Sequence, residues 1–120
     1  WGTYTPSAKV HDYKPGDIMS NENHVYIVLG KCDDESVLLI HSSPPGVRIC
    51  GTIPEGSQSS QAADLAQEVM KTNYPDWFVK YPSCSVDSSY LTQYDQFRWN
   101  TETLRDAAEI QNLNANQIMK

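Results

Sequence analysis

Basic residues are scarce in this sequence: nine Lys and Arg stand against 15 Asp and Glu, for a formal net charge of −6. They form no cluster that could serve as an electrostatic footprint for a phosphate backbone, so no nucleic-acid partner is expected. Long apolar runs are missing too. None approaches the roughly 18 residues that a membrane-crossing helix needs, so no membrane partner is expected either. There is no internal repeat and no low-complexity tract. Cysteine is limited to Cys32, Cys50 and Cys84. No two of these have the close spacing of a zinc site, and an odd number cannot make a complete disulfide framework. One bridge or three free thiols remain open. The chain opens at Trp1 rather than Met and has no charged segment leading into an apolar signal stretch. The expectation is a piece cut from something longer.

What is present suffices for one small domain: 120 residues, 39% of them hydrophobic, can bury one modest core. Residues 1–15 read as an irregular lead-in. Lys14-Pro15-Gly16-Asp17 is a turn, with Pro presetting one backbone angle and Gly supplying a permissive one. A short strand, Ile18 to Ser20, can follow. His24-Val25-Tyr26-Ile27-Val28-Leu29-Gly30 is β-branched, aromatic and apolar on both faces, which predicts a buried strand. Lys31 to Asp34 is a polar turn, and Glu35 to Ser42 is the return arm of a hairpin. Ser42 to Gly46 turns again, and Val47 to Ile53 completes an antiparallel meander.

Beyond a Gly/Ser/Gln loop at 54–60, Ala62, Leu65, Ala66 and Val69 recur at helical spacing. This predicts a helix over 60–73, ended by Pro75. Residues 74–99 are rich in aromatics and are expected to wrap over the sheet. A second helix is predicted over 101–112, opened by a Thr cap. Asn114 with Gln117 three residues on resembles a capping box. The fold class is therefore α+β, with about four or more antiparallel strands and two or three helices.

Three histidines could carry chemistry. His11 lies among polar neighbours in the lead-in and reads as a solvated loop residue. His24 opens one arm of the hairpin and His41 closes the other, so both sit at the same end of the sheet. A four-residue loop from Lys31 to Asp34, with Gly30 opposite Glu35, puts His24 directly across from His41 on one face. A five-residue loop puts His41 opposite Val25, on the other face. Two adjacent imidazoles suit a relay in which one is a general base and the other fixes its tautomer. They also suit a metal site, for which Asp12 or Asp17 would have to be recruited. The plain alternative is two polar strand-end residues bonded to backbone. Neither a cofactor nor a metal is expected.

The motifs Lys14-Pro15-Gly16-Asp17-Ile18, His24 to Gly30, and Leu39-Ile40-His41-Ser42 together resemble the second half of an NlpC-type cell-wall cysteine peptidase domain. In that family a Pro-Gly-Asp turn leads into a strand, a strand beginning His-Val carries the catalytic histidine, and the next strand carries a polar third residue. The resemblance spans residues 14–43, with 54–120 resembling an extension found in some family members. It implies a papain-like fold and hydrolysis of peptide bonds in peptidoglycan stem peptides. It also implies an extracellular or cell-wall location, His24 as general base and His41 as its orienting partner.

The family's nucleophile precedes the Pro-Gly-Asp turn, in a sequence like Asp-Cys-Ser-Gly that opens a helix. No Cys precedes Pro15 here. The expectation is a truncated domain that does not cleave stem peptides alone, with exposed sheet surface that a homodimer could cover. Two alternatives stand beside it. Cys84, in Ser83-Cys84-Ser85, could be the nucleophile of a permuted acyl-transfer enzyme similar to the lecithin:retinol acyltransferase-like group. Otherwise the groove near His24 could belong to a non-catalytic module binding a glycopeptide or protein. Cys32, in the far hairpin turn, and Cys50, in mid-strand, read as structural.

Overall fold

The structure, a computed structural model, describes residues 1–44 and 46–119. Seven strands form one sheet: β1 (Gly2–Thr5), β2 (Ile18–Ser20), β3 (Val25–Lys31), β4 (Val37–Ser43), β5 (Gly46–Thr52), β6 (Ser85–Val86) and β7 (Asp95–Trp99). Their order across the sheet is β1-β7-β2-β3-β4-β5-β6. All neighbours are antiparallel except β5 and β6. Three helices, α1 (Gln61–Asn73), α2 (Pro75–Lys80) and α3 (Ala115–Ile118), complete an α+β fold. The meander β2 to β5 follows the sequence expectation, whereas β1, β6 and β7 were not anticipated.

Side-chain alternation divides the core between the two faces. Met19, Tyr26, Val28, Leu39 and Cys50 are buried on one face, under Val10 and Tyr13 from the lead-in and Tyr90 and Leu91 from a short 3-10 helix, Ser88–Leu91. Leu38 faces the other way, with Ala62, Ala66 and Met70 of α1, Cys84 and Ala115. Ser60 caps α1 by accepting the Ala63 N–H at 3.0 Å, a contact worth about 1 kcal/mol. Small side chains let α1 approach β5 closely: a Cβ on Gly51 would fall 2.1 Å from the Ala62 carbonyl carbon. Burying this face removes apolar area from water at roughly 25 cal/mol per Å².

The helices do not cover the whole of their face. Tyr4 lies across from Phe97, Phe97 across from Ile18, and Ile18 across from Ile27. In this row Tyr4 and Ile27 stay exposed, as does Val25. The aromatic segment likewise splits. Trp77 and Phe78 pack on the helix side, Tyr90 and Tyr94 on the opposite face, and Phe97 and Trp99 belong to β7.

The helix expected over 101–112 does not form. Turns occupy the region, followed by a short 3-10 helix, Ile110–Asn112. Polar side chains compete there for backbone donors: Asn100 accepts from the Glu102 N–H and Asp106 from those of Ile110 and Gln111. Glu109 sits at φ 53°, which interrupts a right-handed helix. The capping box is present. Asn114 and Gln117 exchange side chain to backbone hydrogen bonds of 2.9 Å, opening α3 against Gly30 of β3.

Candidate functional site

Local backbone chemistry positions His24. The β2–β3 connection is the tight turn Asn21 to His24. The Asn21 side-chain oxygen accepts from the backbone N–H groups of Asn23 at 2.8 Å and His24 at 2.9 Å. The Asn21 N–H donates back to the His24 carbonyl at 3.0 Å. Such Asx geometry holds a turn without help from the ladder. His41 sits in β4, between Tyr26 of β3 and Arg48 of β5, and is buried.

The two imidazoles meet: His24 Nε2 is 2.9 Å from His41 Nδ1, with ring centroids 5.1 Å apart and planes at 83°. The register differs from the expected one. His41 is opposite Tyr26, not His24. The loop spans Cys32 to Ser36, closed by the Cys32 N–H to Ser36 carbonyl bond of 2.8 Å and by Glu35 at φ 69°. That five-residue loop alone would face the rings apart. A bulge at Leu29, between Val28 and Gly30, removes one residue from the ladder and restores the parity. The histidines are therefore diagonal neighbours on one face.

Aromatic side chains enclose the pair. Tyr90 packs edge-on against both rings, with centroids 5.7 Å from His24 and 5.8 Å from His41. Its hydroxyl lies 3.4 Å from His41 Nδ1. Tyr26 fixes Tyr90 by donating its hydroxyl to the Tyr90 carbonyl at 2.6 Å. Burial, then the charges of His24 and Arg48, push the His41 pKa down to about 4. His41 is therefore neutral at physiological pH, with one ring nitrogen protonated and the other bare.

Cys50, whose mid-strand position implies a core residue, is buried. Yet its Sγ lies 3.4 Å from His41 Nε2, so the contacts run Cys50–His41–His24. The β4–β5 register accounts for this, since pairing Ser43 with Gly46 sets Cys50 opposite Leu39, diagonal to His41. Burial raises the Cys50 pKa, opposed by the Arg48 guanidinium. Cys84 belongs to the helix-side cluster with Leu38 and Ala62, on the face away from the histidines, and is fully buried. Burial raises its pKa also. Cys32 lies at the distal end of the β3–β4 hairpin. All three cysteines are free thiols.

Neither carboxylate considered for a metal site joins the pair. Asp12 meets Lys31 Nζ at 3.3 Å, at the other end of β3. Asp17 is fully buried and engages Arg98 at 2.7 Å. Among the described residues, no group of three His, Cys, Asp or Glu is placed to hold a metal ion. His11 is exposed in the lead-in. No helix of the described residues is long and apolar enough to cross a membrane. In comparisons with known proteins, no family model, no curated protein and no solved structure matches this chain.

Proposed function

We propose that this chain is part of a peptidoglycan stem-peptide hydrolase, a cysteine endopeptidase of the NlpC type, in which His24 is the general base and His41 its orienting partner. The observation that carries the reading is the 2.9 Å contact between His24 Nε2 and His41 Nδ1. A base needs its lone pair aimed at the nucleophile and its other nitrogen anchored. Here Nε2 is anchored and Nδ1 has no protein partner among the described residues. The nucleophilic thiol comes from outside these residues, since none of the three cysteines reaches His24 directly. His24 Nδ1 takes the thiol proton, and the thiolate attacks the scissile carbonyl. The imidazolium then gives that proton to the leaving amine, and water releases the acyl group from sulfur. The uncovered apolar row through Tyr4, Phe97, Ile18 and Ile27 is a surface on which the rest of such a domain would pack. The enzyme would act outside the cell, on the wall.

The test compares two polypeptides on stem peptides. The 120-residue chain alone should show no turnover. A longer natural polypeptide that contains it, together with an upstream cysteine, should cleave. His24→Ala in that polypeptide should then lower kcat by at least about 10⁴-fold, and by up to about 10⁶-fold if it is the general base. Turnover by the chain alone that Cys84→Ala abolishes would overturn this reading in favour of the permuted acyl-transfer enzyme. Binding of stem peptide without turnover by either polypeptide would favour the non-catalytic module.

A further inference from the structure

The hydrogen bond between the histidines can run in either direction, and only one direction leaves His24 a base. If His24 carries its proton on Nε2 and donates it to His41 Nδ1, then His24 Nδ1 keeps its lone pair. If instead His41 carries its proton on Nδ1 and donates it to His24 Nε2, then His24 Nδ1 is protonated and has nothing to offer a thiol. A neutral imidazole has one donor nitrogen and one acceptor nitrogen. The choice for His41 therefore rests on what each of its nitrogens faces.

Nδ1 of His41 faces two groups able to donate: His24 Nε2 at 2.9 Å and the Tyr90 hydroxyl at 3.4 Å. Both can donate to it only when it carries no proton. Nε2 faces Cys50 Sγ at 3.4 Å, and a thiol sulfur can accept an N–H. Arg48, directly across from His41 on β5, carries a fixed positive charge and disfavours a second proton on the ring. A water molecule could not readily replace the sulfur, because Cys50 is buried among Leu39, Tyr26 and Val28.

We propose that Cys50 is a positioning residue: its sulfur accepts the His41 Nε2–H, which bares His41 Nδ1 toward His24 and leaves His24 Nδ1 open as the base. The sulfur forms no bond to substrate, and the proton on His41 Nε2 is not transferred. Cys50 acts only through His41 and His24, three hydrogen bonds from the reacting thiol. The proposal rests on the reading of His24 as a base, but its test does not need a working enzyme.

The test is a long-range ¹H–¹⁵N correlation spectrum of the imidazoles, recorded on the 120-residue chain at neutral pH. A protonated ring nitrogen and a bare one resonate far apart and are assigned without reference to activity. In the wild type, His41 should be protonated at Nε2 and bare at Nδ1, with His24 protonated at Nε2. Cys50→Ala removes the acceptor. The His41 nitrogens should then move toward each other as the second tautomer becomes populated. Cys50→Ser keeps an acceptor of similar size and should retain the wild-type pattern. A wild-type His41 protonated at Nδ1 overturns the proposal, and with it the base reading of His24. A wild-type pattern as expected that Cys50→Ala leaves unmoved overturns the role of Cys50 alone and leaves His24 as the base.

Discussion

His24 Nε2 lies 2.9 Å from His41 Nδ1 although the two residues are not opposite each other: the residue across from His41 is Tyr26. A bulge at Leu29 and a five-residue loop, each of which would separate the rings by itself, together bring them to one face. The contact therefore depends on backbone irregularities several residues away. It also makes His41 a buried imidazole with a cation beside it, and this has a consequence for stability.

Stability should rise with pH between about 4 and 6.5 on account of His41. Its folded pKa is depressed from 6.5 to about 4, chiefly by burial. In that window the unfolded chain binds the proton and the folded chain resists it. The contribution is complete above the unfolded value and is lost progressively as pH falls toward the folded one. Urea unfolding at about pH 4.5 and about pH 7.5 should differ by on the order of 1–3 kcal/mol from this source. His41→Gln should remove that part of the difference. A variant whose pH dependence matched the wild type would show that His41 titrates normally.

The aspartate of the Pro-Gly-Asp turn has a structural role that a second variant series can expose. Asp17 is fully buried and accepts from the Lys14 N–H at 2.8 Å, from Arg98 Nε at 3.0 Å and from Arg98 Nη2 at 2.7 Å. It thereby joins the turn before β2 to β7, two neighbouring strands far apart in sequence. Arg98→Ala leaves a buried carboxylate without its cation and should cost about 3–5 kcal/mol. Asp17→Asn keeps an acceptor for Lys14 but strands the guanidinium. The double variant should cost less than the sum of the two in a denaturant double-mutant cycle. Additive costs would mean that the pair is not coupled.

The parts of the fold that could be read from the sequence are those set by local pattern. The runs at Val25–Lys31 and Val37–Ser43 are too β-branched and apolar to be anything but strands, and α1 shows its period plainly. Burial on both faces of the first run does not hold, because Val25 and Ile27 lie beyond the cover of the helices and stay exposed. The four residues of β1, the two of β6 and the five of β7 are too short to show a period. Each is a strand only because a distant partner supplies its ladder. The 101–112 segment failed in the opposite direction: it has a cap-like start but no apolar stripe to bury, and side-chain acceptors took its backbone donors. At the candidate site the two histidines were visible because they end the strongest strands. Their exact register was not, because Gly30, beside the bulge at Leu29, reads in the sequence as the end of the strand rather than as the mark of a bulge inside it. Cys50 went unnoticed because a mid-strand cysteine is ordinarily core, and its contact with His41 appears only when β4 and β5 are placed in register.

The three thiols should be nearly inert to a small alkylating or disulfide probe while the chain is folded. Cys32, Cys50 and Cys84 are 5%, 1% and 0% exposed, and burial raises the pKa of each, which lowers the fraction of reactive thiolate. Labelling at mildly alkaline pH should proceed at least about 100-fold more slowly than in urea, at a rate governed by opening of the structure. Rapid native labelling of Cys84, read by peptide mass mapping, would contradict its packing between β5 and α1 and revive it as a nucleophile.

Gly51 should tolerate no side chain. It lies in β5 directly under the first turn of α1, where an added Cβ would stand 2.1 Å from the Ala62 carbonyl carbon and 2.3 Å from both the Ala62 oxygen and the Ala63 nitrogen. All three are backbone atoms, so no rotamer change relieves the clash. The helix would have to lift from the sheet. Lifting it would part Ser60 from Thr52, whose carbonyl accepts the Ser60 hydroxyl, and would open the cluster of Ala62, Ala66, Leu38 and Cys84. Overpacking of a core commonly costs about 1–3 kcal/mol where side chains can yield. Here only main chain is available to move, and the cost should reach or exceed the upper end of that range. Gly56 offers a control of the opposite kind. An added Cβ there meets nothing within 4 Å, but φ is +82°, so Gly56→Ala carries only the backbone strain of about 1 kcal/mol. Denaturant midpoints of the two variants should therefore differ clearly, with Gly51→Ala much the lower. Equal midpoints would mean that α1 does not rest on β5 as closely as described.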